Sequence, residues 1–246
     1  MNTKIIYLKS EKLSPVSLSQ IVRLFPASLP ISNIYDPENT IFITSDADLF
    51  VFHLKNHAPN LLQNKTLHLY NSRCCNPVNI PPKRGKHKVR MFPIGTIGAT
   101  IKTWRNIMGF DRQNYTFKDI ENYVINEFGS NFFHFNDSNN PRLIGSAIWY
   151  ADQSLISYKL NLWLKGNNHS MSERIEAPRR IDRIKWPQLS KFKEMKIEDW
   201  DDCHQPTAGF TDNEWKKFKP FLEFAFRTDK VLLDKLQKYR DKFVSK

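Results

Sequence analysis

Segments with the periodicity of amphipathic helices alternate with short apolar runs along this chain, and this alternation restricts the fold most. In residues 14–25, Leu18, Ile21 and Phe25 recur at helical spacing, so one face of that segment is apolar. Residues 39–44 form a short β-type run instead. We therefore expect an α/β fold, with a mixed sheet flanked by helices and a mainly helical C-terminal part.

Capping residues mark several helix boundaries. Ser14 and Pro15 are expected to begin the first helix. Thr116 has Asp119 three residues later, close to the spacing of a capping box, and Gly129 is expected to end that helix. The remaining predicted elements are a short strand, a glycine turn and a helix within residues 90–110, a helix over 146–164, a helix from near Thr211 with Glu214 in the capping-box position, and a helix over 228–243.

Two aspartates, Asp46 and Asp48, follow the apolar run Ile41-Phe42-Ile43. Carboxylates this close repel each other, which raises the pKa of one of them unless a cation lies beside them. Mn²⁺ and Mg²⁺ prefer oxygen ligands and are commonly held by one or two carboxylates plus substrate phosphates. Because open α/β sheets bind ligands at strand ends, the pattern predicts a metal–diphosphate site. The alternative is a turn in which the aspartates accept hydrogen bonds from backbone N–H groups.

Two similar patterns elsewhere are weaker. Asp199 and Asp201 form a second Asp-x-Asp, but it lies in a charged segment without an apolar strand ahead of it. His53 and His57 are four residues apart, a spacing that binds metal on a helix. The segment lacks the glutamate of the zinc-protease motif, so we expect no metal site there.

The ordered set of motifs resembles the donor-binding core of GT-A-fold glycosyltransferases, in the layout of the retaining galactosyl- and glucosyltransferases that use UDP-sugars. "SQIVRLFPASLP" followed by "ENTIFITSDADLF" resembles the family's arginine-bearing helix and DxD strand. "MFPIGTIGATIKTW", "WYADQSLIS" and "DDCH" resemble the small-residue turn before the acceptor site, the Asp-Gln helix facing the donor sugar and the histidine metal ligand. The resemblance spans roughly residues 15–225.

The resemblance implies a role for each matched residue. Asp46, Asp48 and His204 would bind Mn²⁺, or Mg²⁺, with Asp46 also contacting the ribose. Arg23 would lie near the diphosphate or sugar, and an Arg or Lys of residues 179–185 would share the charge of the leaving group. The remaining assignments are Gly95 and Gly98 at the donor site and Asp152 and Gln153 as sugar-binding, catalytic residues.

Structural alternatives stay open for these residues. Arg23 is also compatible with the exposed face of an amphipathic helix, and Asp152 with a favourable position in the first turn of its helix. Gly95 and Gly98 are compatible with a simple turn, and His204 with an ordinary loop position. The stereochemical course, retaining or inverting, is not predicted.

The N-terminal part is short for this family. Only 45 residues precede Asp46, fewer than the family's nucleotide-base-binding segment requires. The expectation is therefore one GT-A-like catalytic domain over residues 1–246 that is either N-terminally truncated or has an abbreviated nucleotide pocket. No stretch reaches the roughly eighteen apolar residues of a membrane helix. The compartment is the secretory pathway or Golgi if the resemblance holds and a targeting segment lies outside this chain, and the cytoplasm otherwise.

Net charge leaves three classes of function open. The chain has 37 Lys and Arg against 25 Asp and Glu, a net +12, and such a surface attracts polyanions. The leading interpretation is an enzyme that transfers sugar from a nucleotide-sugar donor to a glycan or glycoprotein acceptor. The second is a non-catalytic relative that binds an acidic glycan or protein partner through basic segments such as 81–90 and 176–186. A nucleic-acid-binding protein is the third, but no helix-turn-helix, zinc-finger or RNP-like motif is visible, so no specific nucleic acid is expected.

Overall fold

The computed structural model describes residues 10, 13, 15–130, 132 and 149–244, and over them the chain is a mixed α/β protein with a mainly helical C-terminal part, as predicted. Two compact units are present. Unit 1 comprises residues 1–45 and 57–176, and unit 2 comprises residues 46–56 and 177–246. The predicted cap Ser14 and residues 146–148 of the predicted fourth helix lie outside the described residues. One catalytic domain over 1–246 stays a prediction.

Unit 1 is built around a four-stranded sheet. Its helices and strands are α1 (Pro15–Val22), β1 (Ile41–Ile43), β3 (Leu67–Tyr70), β4 (Val78–Asn79), β5 (Lys88–Val89), β6 (Ile97–Thr100), α2 (Ile101–Met108), α3 (Phe117–Phe128), α4 (Ala151–Asn167) and β7 (Met171–Arg174). The sheet order is β1-β6-β3-β7. The β1/β6 and β3/β6 pairs are antiparallel, whereas β3/β7 is parallel, and β4 and β5 form a separate antiparallel hairpin.

Strand β1 lies where the apolar run predicted a strand, but it is not a buried parallel strand. It is an edge strand, it pairs antiparallel, and each of its residues Ile41, Phe42 and Ile43 is partly exposed. Asp46 and Asp48 therefore do not lie at the carboxyl edge of a parallel sheet, where open α/β folds bind their ligands. Their chemistry has to be judged from their own surroundings.

The predicted boundaries of α2 and α3 are confirmed for the Thr116 capping box and for the glycine ends Gly109 and Gly129. Thr116 accepts from the N–H of Asp119 while the Asp119 carboxylate accepts from the N–H of Thr116, which completes the capping box of α3. In α2 the Thr100 side chain accepts from the N–H of Thr103, and Gly109 ends the helix at a φ of 65°. These contacts satisfy backbone groups that a helix end leaves without partners.

The order of elements before α2 differs from the prediction. We expected a strand, then a glycine turn, then a helix over 90–110. Gly95 does lie in a turn, but the strand β6 follows that turn and contains Gly98. A Cβ at position 98 would lie 2.2 Å from the carbonyl oxygen of His57, so this strand needs a glycine where another backbone approaches closely.

Unit 2 has a three-stranded sheet and two helices. Its elements are β2 (Leu49–Val51), β8 (Arg180–Ile181), β9 (Asp202–His204), α5 (Asp212–Ala225) and α6 (Lys230–Val244). The order is β2-β9-β8, with β2/β9 antiparallel and β8/β9 parallel. Buried aromatic and aliphatic side chains of α5 form its core against the sheet: Trp215, Phe218, Phe221, Leu222 and Phe224, with Ile181, Phe192 and Cys203.

The predicted capping box of α5 is wrong in its side chains, although the helix begins where expected. Thr211 occupies the N-cap position without a side-chain cap, and its hydroxyl donates to the carbonyl of Ala208 at 2.9 Å. Glu214 instead pairs with Lys217 at 3.0 Å. No helix among the described residues is long and apolar enough to cross a membrane.

The cysteines form one disulfide, between Cys74 and Cys75. The sequence, with two adjacent cysteines and one apart, predicts no disulfide framework. A bond between chain neighbours closes no loop between separate elements, so the fold does not depend on a cross-link. Cys203 is a buried free thiol.

Candidate metal centre

Asp48 and His204 are neighbours because β2 and β9 pair antiparallel. Leu49 lies opposite His204 in the register, and the N–H of Gln205 donates to the carbonyl of Asp48 at 3.0 Å. Asp48, which directly precedes β2, is therefore held beside the end of β9. A turn adds Asp46, whose carbonyl accepts from the N–H of Leu49 at 3.2 Å. Backbone pairing within unit 2 thus assembles residues that are far apart in sequence.

The ligand atoms of Asp46, Asp48 and His204 lie within 4.8 Å of one another, and all three residues are partly buried. The His204 Nε2 atom is 3.3 Å from Asp48 Oδ1. Two carboxylates and an imidazole fit a small divalent cation whose other positions are taken by water or phosphate. Among the residues that the structure describes, the predicted ligand set is thus brought together. The donor set does not select between Mn²⁺ and Mg²⁺.

Arg183 completes the cluster. Its Nη2 donates to Asp48 Oδ2 at 2.6 Å and also contacts His204 Nε2, while its Nη1 donates to the hydroxyl of Thr207 at 3.1 Å. The sequence indicated only that some Arg or Lys of residues 179–185 would act here. The signal that singles out Arg183 is the parallel pairing of β8 with β9, which brings the chain just after β8 to the His204 end of β9.

The environment favours the neutral form of His204. Burial lowers the pKa of His204, the nearby Arg183 charge lowers it further, and the carboxylates of Asp48 and Asp46 oppose the shift without reversing it. A neutral imidazole keeps a ring nitrogen lone pair, which is the form that binds a metal.

Arg23 and Asp152, both predicted at the donor site, form an ion pair in unit 1. Arg23 Nε donates to Asp152 Oδ2 at 3.1 Å, and Nη2 contacts the same oxygen. Arg23 Nη1 also reaches the carbonyl of Ser45 at 3.5 Å. Arg23 is therefore not simply a solvated residue on an amphipathic helix. Asp152 lies in the first turn of α4, whose N-cap residue makes no side-chain cap.

The side-chain oxygen of Gln153 is buried. This Oε1 atom has no hydrogen-bond partner within the part of the chain that the structure describes, while the backbone N–H of Gln153 donates to Asp152 Oδ1 at 2.7 Å. A buried acceptor without a donor costs free energy, and such atoms often mark places where a ligand or water binds. The predicted sugar-binding role of Asp152 and Gln153 stays a prediction. For Gly95 and Gly98, the turn and the approach of His57 already account for the glycines.

The two patterns judged weaker in the sequence have structural roles. Asp201 is fully buried and accepts from Asn56 Nδ2 at 2.7 Å. His53 Nδ1 is 2.7 Å from the carbonyl of Trp200, and His57 Nδ1 is 2.9 Å from the hydroxyl of Thr96. Neither pattern joins a candidate metal cluster among the described residues.

Comparison with known proteins finds no matching family model, no matching curated protein and no matching solved structure. The cluster of Asp46, Asp48, His204 and Arg183 therefore has to be interpreted from its own chemistry.

Proposed function

We propose that this chain is a metal-dependent glycosyltransferase with a GT-A-like fold, which transfers a sugar from a nucleotide-sugar, a UDP-sugar, to a glycan or glycoprotein acceptor. The observation that carries the proposal is the convergence of Asp46, Asp48 and His204 within 4.8 Å. Those three residues are the ones that the family resemblance names as metal ligands. A structural turn requires no histidine beside the two carboxylates.

Residues of unit 2 would bind the metal and the diphosphate. Asp46, Asp48 and His204 would hold Mn²⁺ or Mg²⁺, which as a Lewis acid neutralises charge on the leaving nucleoside diphosphate. The Arg183 guanidinium carries a fork of donors suited to phosphate oxygens. The resemblance further implies donor-binding roles for Arg23, Gly95 and Gly98 and sugar-binding roles for Asp152 and Gln153.

Thermal unfolding with Mn²⁺ and UDP tests the donor site. A ligand that binds the native state at 100 times its Kd stabilises by about 2.7 kcal/mol, which corresponds to a rise in Tm of about 5–10 °C for a chain of this size. We expect this rise in the wild type and its loss in Asp48→Asn. The matched control is Asp199→Asn, an exposed aspartate outside the cluster, which should keep the rise.

A panel of UDP-sugars then tests catalysis directly. Release of UDP in the presence of Mn²⁺ should occur with one donor and should disappear in Asp48→Asn but not in Asp199→Asn. An unchanged thermal shift in Asp48→Asn would refute the assigned metal site.

A second candidate function, binding of an acidic glycan without catalysis, is favoured by the charge of the β4–β5 hairpin. No Asp or Glu occurs between Asp48 and Asp111, a stretch rich in Lys and Arg. In the hairpin, Arg84 is paired with Glu127, whereas Lys83, Lys86 and Lys88 are exposed. The hairpin borders a cavity of about 350 Å³ lined in part by Tyr150 and Phe132, aromatic side chains suited to a sugar ring.

Polygalacturonate binding measured at several salt concentrations tests this second function. The triple variant Lys83→Glu, Lys86→Glu, Lys88→Glu should lose binding. A control with equal charge change at exposed helical positions (Lys216→Glu, Lys219→Glu, Lys238→Glu) should keep most of it. Binding without release of UDP from any donor would favour the non-catalytic function. Preference for an oligonucleotide over polygalacturonate, with steep salt dependence, would favour nucleic acid instead.

A further inference from the structure

We propose that Arg183 and the divalent metal compete for Asp48 and His204, so that metal loading displaces the guanidinium and makes it available to the diphosphate of the donor. This inference rests on the proposed function and adds to it an order of events and a coupling between metal and nucleotide. It starts from the position of one atom, Arg183 Nη2, which touches both Asp48 Oδ2 and His204 Nε2.

The two cations exclude each other by geometry. A metal bonded to a carboxylate oxygen and an imidazole nitrogen lies about 2.0–2.2 Å from each. Asp48 Oδ1 and His204 Nε2 are 3.3 Å apart, and Arg183 Nη2 lies against His204 Nε2 at the nitrogen that would face the metal. A guanidinium has no acceptor and cannot act as a ligand, so a metal on His204 Nε2 requires Arg183 to move away.

Arg183 has donors that its present position does not use. Its Nε atom is buried and has no hydrogen-bond partner among the described residues, and its second anchor is the hydroxyl of Thr207. A phosphate oxygen pair accepts from the guanidinium fork in two parallel hydrogen bonds. A diphosphate therefore offers the displaced side chain two charge-assisted hydrogen bonds in place of the one that it makes to Asp48.

The neighbouring arginines are not equivalent to Arg183. Arg180 makes two hydrogen bonds of 2.7 Å to the fully buried Asp202, and Arg179 donates to the backbone carbonyls of Asp199 and Glu198. Releasing Arg180 would leave a buried carboxylate without its guanidinium, which is costly. Among these three arginines, Arg183 is thus the one placed to alternate between the Asp48 carboxylate and a bound diphosphate.

Competition of this kind couples the binding of the metal to the binding of UDP. When Arg183 binds a diphosphate, the metal no longer shares Asp48 and His204 with the guanidinium. UDP should therefore raise metal affinity through Arg183 in addition to any direct coordination. By linkage, the metal should raise UDP affinity by the same factor.

Titration with Mn²⁺, followed by the electron paramagnetic resonance signal of free aqueous Mn²⁺, tests the competition without any enzymatic assay. Arg183→Met should bind Mn²⁺ about 10-fold more tightly than the wild type without UDP, and UDP should raise its Mn²⁺ affinity less, a difference within the usual range of coupling between sites. Lys185→Met removes an exposed charge two residues away and should behave as the wild type. Arg183→Lys keeps the charge but lacks the planar fork of donors. Its Mn²⁺ affinity should lie between those of the wild type and Arg183→Met.

The outcomes separate this inference from the proposed function. Equal or weaker Mn²⁺ binding by Arg183→Met, with binding abolished in Asp48→Asn, overturns the competition and leaves the metal site standing. Tighter binding by Lys185→Met to the same degree also overturns it, because general charge would then explain the effect. Absence of Mn²⁺ binding in the wild type and in every variant overturns both.

Discussion

Arg23 donates from Nε to Asp152 Oδ2 at 3.1 Å, and the carboxylate side chain that it meets is only 3% exposed. An aspartate so deeply buried needs a cation or several donors to stay charged. The pair therefore holds the start of α4 to the segment after α1, whatever its part in donor binding. The two residues that the resemblance assigns to the donor site consequently have a structural function of their own.

Removal of the Arg23 charge should destabilise the protein markedly. Arg23→Met leaves the Asp152 carboxylate buried without its guanidinium, and we expect the free energy of unfolding to fall by about 3 kcal/mol. The double variant Arg23→Met, Asp152→Asn should recover part of this loss, since the buried carboxylate charge is then removed together with the guanidinium. Urea unfolding of the three proteins measures both effects. A loss under 0.5 kcal/mol, the range of ordinary surface substitutions, would show that the pair is not structural.

Gly98 should not tolerate even a methyl group. In Gly98→Ala the new Cβ would lie 2.2 Å from the carbonyl oxygen of His57, so the β6 backbone or residues 57–58 must shift, and we expect a loss of about 2–3 kcal/mol in urea unfolding. The matched control is Gly166→Ala in α4, where no described atom outside the local helix backbone and the chain neighbours lies within 4 Å of the added Cβ. Alanine has the higher helix propensity, so this control should be neutral or stabilising by up to about 1 kcal/mol. Equal stability of the two variants would contradict the packing account of Gly98.

The elements that the sequence predicts correctly are those whose signals are local. The capping box of Thr116 and Asp119 and the left-handed Gly109 depend on residues within one turn of each helix end. The position of β1 follows from its apolar run. Thr211 shows the limit of such signals, because it occupies the N-cap position without making the expected side-chain cap.

What the sequence does not predict depends on contacts between distant residues. Position 98 requires glycine because the backbone of His57 packs over it, and no local pattern reveals that approach. Asp48 and His204 meet through the register of β2 and β9, so the residues alone suggested only the aspartate half of the metal centre. Arg183 depends on the further pairing of β8 with β9. The site is thus set by strand pairing that local periodicity does not specify.

The three cysteines should differ in reactivity. Burial raises the pKa of the Cys203 thiol, and the neighbouring carboxylate of Asp202 raises it further, so the reactive thiolate is scarce. We expect iodoacetamide to modify no cysteine of the native, oxidised protein. After mild reduction Cys74 and Cys75 should be modified, whereas Cys203 should react only after unfolding. Peptide mass spectrometry identifies the modified sites, and native labelling of Cys203 would show that its strand opens readily.

Glu127 should make stability depend on pH in the acid range. Its carboxylate accepts from Arg84 Nε at 2.7 Å and pairs with Lys159 at 2.6 Å. Burial raises the pKa of Glu127, but the hydrogen bonds from Arg84 and Lys159 outweigh it, so the pKa lies below its ordinary value of 4.5. The native state therefore binds this proton less readily than the unfolded state. The stabilisation is complete above about pH 4.5 and is lost as pH falls through the lowered native pKa.

The variant Glu127→Gln isolates this contribution. It should lose about 2 kcal/mol at pH 7, the usual magnitude for hydrogen bonds to a charged group, and the difference from the wild type should shrink as pH falls below 4.5. Glu214→Gln, which removes an exposed pair with Lys217, should cost only about 0.3 kcal/mol. Urea unfolding between pH 3 and pH 7 measures the two differences. A Glu127→Gln deficit that stays constant across this range would mean that the carboxylate is not held charged by Arg84 and Lys159.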